Sequence, residues 1–202
     1  MIFIAYFDER KIVKIAQKKS CSAPSVTAGT QSLCVIKKKK KTNMLKLYKK
    51  INNELHFWET WDKSEKIGII HWGKVGEEGK DREVKSIGEI NFRNEIQKEI
   101  DEKLNEGYAQ IEMENHRILL IEYKVEGMGN TEDLNKRSKL QERMDQTLGW
   151  VGIGHCDGGS MGSGTMEVCC FVVDFEIAKK VIEEDLFDTE FEDFERIYDE
   201  NE

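Results

Sequence analysis

No stretch of this 202-residue chain approaches the roughly 20 consecutive apolar residues that a membrane-spanning helix needs, so no membrane partner is expected. Residues 1–9 are apolar too briefly for a secretory leader and have no basic lead-in. Cysteine is scarce and odd in number, five in all, and two of the five, Cys169 and Cys170, are adjacent. Neighbours on a strand point to opposite faces, so that pair makes a poor disulfide. Reduced thiols and a cytoplasmic protein are expected. His56, His71 and His116 have no Cys or His neighbour at ligand spacing, so neither a metal site nor a cofactor is expected. Proline occurs once, at Pro24, inside a polar stretch (residues 17–33) that reads as unstructured.

What the chain does have is charge, distributed unevenly. Residues 1–43 carry ten Lys and Arg against two Asp and Glu, residues 44–125 carry 14 against 17, and residues 126–202 carry 7 against 20. An acidic C-terminal third opposes wrapping around a long nucleic acid, while a near-neutral middle can still hold a small local site. The five lysines at 37–41 admit three readings: a patch for nucleic acid or a membrane surface, a solvated segment, or translation through a purine-rich ribosome-binding region. In the third, Met44 is the native initiator and residues 1–43 are a mis-assigned extension; an N-terminal peptide from 1–43 in the native protein excludes it.

Residues 44–126 pattern as one α+β unit. Leu55, Phe57 and Trp61 alternate with His56, Trp58 and Thr60, as on a strand with two distinct faces. Residues 67–72 form a second β-branched run, glycines at 73, 76 and 79 mark a turn-rich link, and residues 82–87 read as a third strand. Phe92, Ile96, Ile100 and Leu104 then recur every four residues, with Asn91 as cap and Gly107 as terminator, which predicts a helix. Two more strands are expected at 109–113 and 118–125. The predicted architecture is an antiparallel sheet with one helix on a face.

The segment Ile69-Ile70-His71-Trp72-Gly73-Lys74-Val75-Gly76-Glu77-Glu78-Gly79, with Phe57-Trp58-Glu59-x-Trp61 before it and Lys103…Gly107-Tyr108 after it, resembles the WGR domain of DNA-break-sensing poly(ADP-ribose) polymerases. The likeness covers about 80 residues. In that family the motif Trp packs against sugar at a DNA strand end, and the motif Arg links DNA contact to neighbouring domains. The resemblance implies that Trp72 stacks, with Gly73, Lys74, Lys80, Arg82 and Lys85 along the same edge as the nucleic-acid-binding set. Lys74 stands where the family has Arg. A lysine can hold a phosphate as a point charge but cannot reproduce a bidentate fork, so a phosphate grip survives better than interdomain signalling. The bland alternative for Trp72 is a half-buried strand aromatic. Fewer than 80 residues remain after the unit, too few for an ADP-ribosyltransferase fold, and no nicotinamide-binding pattern occurs in them.

Residues 127–133 read as a linker and residues 134–202 as a second, acidic α+β domain of ferredoxin-like type. Leu140, Met144 and Leu148 predict a helix ended by Gly149. Residues 166–174 read as a central strand apolar on both faces, and 175–186 as an amphipathic helix capped by Asp174. The last element, with aromatics at 187, 191, 194 and 198, fits either a strand or a helix. Between them lies a Gly/Ser-rich stretch whose Gly158, Gly159, Ser160, Gly162, Ser163 and Gly164 could cradle an anion or simply connect a hairpin. It lacks the Gly-Lys-Ser/Thr ending of a P-loop. His155, Cys156 and Asp157 contain the residue types of a nucleophile pair, but sequence neighbours in an extended chain rarely face one another.

The sequence expectation is a non-enzymatic module that recognises DNA ends or nicks, with an accessory acidic domain that meets a protein partner. The alternative is a protein-interaction module alone, with Trp72 structural.

Overall fold

The computed structural model describes residues 44–88 and 91–201. The N-terminal extension, its lysine run and the stretch before Met44 lie outside the described residues. The element order is β1 (Leu45–Ile51), β2 (Glu54–Asp62), β3 (Ile67–Lys74), β4 (Lys80–Lys85), α1 (Phe92–Asn105), β5 (Arg117–Lys124), α2 (Thr131–Trp150), β6 (Gly154–Gly162), β7 (Thr165–Val172), α3 (Phe175–Leu186) and β8 (Arg196–Asp199). Two antiparallel four-stranded sheets and three helices make this an α+β fold, as the patterning predicts.

The first sheet is a meander in the order β1-β2-β3-β4. Asn52 and Asn53 both take positive φ, the geometry of the two-residue turn that suits strand twist. β1 was not expected as a strand, because its lysines occur on both faces, Lys46 and Lys50 on one and Lys49 on the other. Leu47 is buried on one side and Tyr48 on the other. Helix α1 forms where the four-residue stripe requires. Asn91 Oδ1 accepts the Arg93 amide at 3.0 Å, and Gly107 takes φ +92° just past the last turn. Phe92 and Ile96 pack on Leu47, Trp58, Ile70 and Val84 of the sheet, seated where Gly68 has no side chain.

Two expectations for the end of this unit are corrected. Residues 109–113 are not a strand; Ala109 makes a single bridge to Tyr48, and a 3-10 turn follows at Met113–Asn115. Nor does the strand at 118–125 close the first sheet. As β5 it pairs with β7 on one edge and β8 on the other. Its buried set, Leu119, Ile121 and Tyr123, therefore faces α2 and α3 rather than α1.

The second sheet runs β6-β7-β5-β8, and the elements from β5 onward follow the order β-α-β-β-α-β. That is the split βαβ of the ferredoxin-like fold, with β5 as the first strand that the sequence reading left in the preceding unit. Residues 127–133, expected as an interdomain linker, join β5 to α2 inside this topology. Asn130 there forms a capping box with Asp133. Helix α2 buries Leu140, Met144 and Leu148 as predicted but continues through Gly149 to Trp150. The turn comes at Gly152, with φ +70°, where a Cβ would enter the ring of Phe57. The final element is a strand, with Ile197 buried.

The larger core cluster joins the helices and inner face of the second sheet to Tyr48, Phe57 and Val75 on the far face of the first. The described residues belong to one compact unit. No described helix is long and apolar enough to cross a membrane.

Candidate nucleic-acid interface

Register builds the site. Leu47, Trp58, Trp72 and Lys80 lie opposite one another across β1, β2, β3 and β4, in one row on the α1 face. Ile70 opposes Arg82, and His56 opposes Lys74. Alternation puts Trp72, Lys74, Lys80 and Arg82 on the same face. Lys85 is opposite Ile67 and projects from the other face, a correction to its expected place in the set. Trp72 is half-buried: part of the indole rests on the α1 cluster and part remains open. Trp58 beside it is buried, a core residue. Gly73 is needed because the chain folds back on it; a Cβ there would stand 2.9 Å from Gly79 Cα.

The basic side chains are partly committed. Lys74 Nζ lies 2.8 Å from Glu54 and 3.0 Å from Glu77, and these two carboxylates hold its pKa above the ordinary lysine value. Arg82 pairs with Glu99 of α1, and Lys85 with Glu83 at 3.0 Å. Lys80 is exposed and has no ion-pair partner among the described residues. Such a surface offers an open indole face beside one free ammonium and two cations that a phosphate could draw from exposed or half-exposed glutamates.

The Gly/Ser-rich stretch is no cradle. Gly158 bulges with φ +96°, and Gly159 through Gly162 pair with β7 as a regular edge strand. Ladder pairing takes backbone groups that an anion nest would need. Ser160 Oγ donates to Glu167 at 2.6 Å, so a carboxylate already sits beside the stretch. Ser163 and Gly164, both at positive φ, form a two-residue hairpin turn. His155 and Cys156 point to opposite faces of β6. Cys156 faces Cys170 in the core, and their contact together with burial pushes its thiol up. Cys169, half-buried, is raised by burial to about 11. Neither thiol is poised as a nucleophile.

Sequence reasoning missed two features. The first is a row of polar side chains across the other face of the first sheet, where Lys46, Glu59 and His71 are direct cross-strand neighbours. His71 is 0% exposed and Glu59 2%. His71 Nδ1 is 2.7 Å from Glu59 Oε1, and Lys46 Nζ is 2.9 Å from Oε2. Trp150 stacks on the imidazole at 4.5 Å, Phe57 meets its edge at 4.9 Å, and Nε2 has no hydrogen-bond partner among the described residues. His71 and Glu59, being sealed, can organise the sheet but cannot reach a ligand, while Lys46 keeps some exposure at the row's edge.

The second is a cavity of about 390 Å³ at the seam between the sheets, lined by segments from β1, the 109–116 connection, α2 and β6. His155 is stacked on Phe171 at 5.4 Å and faces His116 at 6.5 Å. Burial lowers the His155 pKa, and nearby Asp145 only partly offsets it. Among the described residues no group of three or more His, Cys, Asp or Glu is placed to hold a metal ion.

Comparison with known proteins gives no match to any family model, to any curated protein or to any solved structure.

Proposed function

We propose that this chain is a non-enzymatic nucleic-acid-binding protein that uses a WGR-like face to meet DNA ends or nicks. The observation that carries the reading is the half-open Trp72 indole on one sheet face with Lys74, Lys80 and Arg82. The indole stacks on sugar or base, and one or two of the cations touch phosphate. Few phosphate contacts mean modest affinity and a shallow salt dependence. The half of the chain from β5 onward, rich in carboxylates, limits indiscriminate adsorption to polyanions or meets a protein partner. A reducing, cytoplasmic setting belongs to the same reading and is consistent with free thiols at Cys156, Cys169 and Cys170.

Fluorescence anisotropy with labelled blunt, nicked and single-stranded DNA, at low and moderate salt, tests it. The full chain binds with a preference for ends, and Trp72→Ala weakens binding about tenfold or more, from stacking worth about 1–3 kcal/mol. Absence of binding at low salt overturns the proposal.

A second reading draws on the pairing of Lys74 with Glu54 and Glu77 and of Arg82 with Glu99. Cations already neutralised within the sheet leave less charge for phosphate, and the module then serves a protein partner alone. Absence of DNA binding by wild type and Trp72→Ala alike at low salt favours it.

A further inference from the structure

We propose that the seam cavity is a binding site for a neutral nucleoside, held by its base and sugar rather than by phosphate. The cavity is within the range of small-ligand pockets, and it gathers hydrogen-bonding groups from four separate segments. Tyr48 carries most weight. It is only 6% exposed and lines the cavity, yet its hydroxyl has no hydrogen-bond partner among the described residues. That hydroxyl is not among the sealed unpaired polar atoms of the described residues, so it is reachable from the cavity and can donate to or accept from an occupant.

The surrounding chemistry selects the class of occupant. Lys46, the lysine on the wall, is committed to Glu59 at 2.9 Å, and Asp145 stands across from it. Burial favours the neutral imidazole of His155. A phosphate would meet a carboxylate with no uncommitted lysine or arginine on the wall to offset it. A neutral ligand suits the same wall. The His155 ring, already stacked on Phe171, offers a flat aromatic surface for a base. Gln110 offers an amide, which can both donate to and accept from a base edge. Asp145 accepts the Cys156 amide at 3.1 Å through one oxygen and has a second for a sugar hydroxyl. Ile111 supplies apolar contact.

The site sits on the opposite face of the first sheet from Trp72 and does not depend on the DNA reading. Calorimetric titration of the full chain with adenosine, guanosine, cytidine, uridine, their 5′-monophosphates and free ribose tests it. At least one nucleoside binds, its 5′-monophosphate binds at least threefold more weakly, and ribose gives no heat of binding. Tyr48→Phe and Gln110→Ala, which remove a hydroxyl and a solvent-exposed amide, each weaken the nucleoside about fivefold to tenfold. Far-ultraviolet circular dichroism shows that both variants remain folded. No heat with any nucleoside, tighter binding of the monophosphate, or unchanged affinity in both variants overturns the proposal.

Discussion

Glu59→Ala is the sharpest probe of what holds the first sheet in place. Glu59 is 2% exposed and bridges Lys46 at 2.9 Å and His71 at 2.7 Å. Removing it strands two groups unequally. Lys46 keeps 18% side-chain exposure and a contact to the Gly149 carbonyl at 3.4 Å, so it can turn toward water. His71 is fully buried beneath Trp150, and its Nε2 already has no partner, so both ring nitrogens become orphans. Breaking a buried pair by deleting one member costs about 3–5 kcal/mol. For a unit of this size that corresponds to a fall in Tm of about 10 °C. Glu59→Gln keeps the shape and a neutral hydrogen bond to His71, so it costs about 1–2 kcal/mol. Replacing Glu59 and His71 together by leucine removes both demands and recovers most of the loss. Urea unfolding followed by tryptophan fluorescence and circular dichroism, with the slope unchanged between variants, measures all three. Equal costs for Ala and Gln, or a double variant worse than the sum of the singles, would refute the bridging role.

Two further perturbations address the seam and the thiols. Gly152→Ala places a Cβ against the Phe57 ring at φ +70°, so it destabilises by about 2 kcal/mol or more in the same unfolding assay; a neutral outcome would mean the turn relaxes freely. Cys169, with its folded thiol raised by burial from 9.0 to about 11, contributes stability that is full below pH 9 and is lost as pH rises toward 11. Cys169→Ser should flatten that alkaline decline in a stability–pH series, and an unchanged decline assigns it elsewhere.

Local patterns were legible in the sequence; pairings between distant segments were not. Helix α1 could be read because Phe92 and Ile96 give a one-sided stripe with a cap at Asn91 and an exit at Gly107. Strand β1 could not, because its lysines fall on both faces, Lys46 and Lys50 on one and Lys49 on the other, and blur the alternation. The Gly/Ser-rich stretch looked like a loop from composition alone. Inside it Gly159, like Gly154 at the start of the same strand, allows close approach to β7, where a Cβ would run into the backbone carbonyl of Glu167 or Phe171, while Gly158 and Gly164 supply positive φ. Trp72 with Lys74 could be placed on one face from alternation. The Lys46–Glu59–His71 row becomes visible only once register is known, since the three residues come from three strands. The seam cavity needs four segments at once and has no local signature.

β5 decides whether the first sheet is a module in its own right. Ending the chain at residue 126 retains β5 but strips it of β7 and β8. Leu119, Ile121 and Tyr123, each at most 2% exposed, would then face water, as would Tyr48, Phe57 and Val75 across the seam. Burying a large side chain is worth about 1.5–3 kcal/mol, so six such exposures cost about 9–18 kcal/mol, as much as the whole stability of an ordinary domain. Residues 44–126 alone should therefore lack a cooperative thermal transition, whereas residues 44–202 show one with coincident fluorescence and circular dichroism. A fragment 44–126 that melts cooperatively and keeps the amide spectrum of the full chain would show that the α1 cluster is a sufficient core. The shared cluster at Phe57 and Gly152 would then be a docking contact between two independent folds.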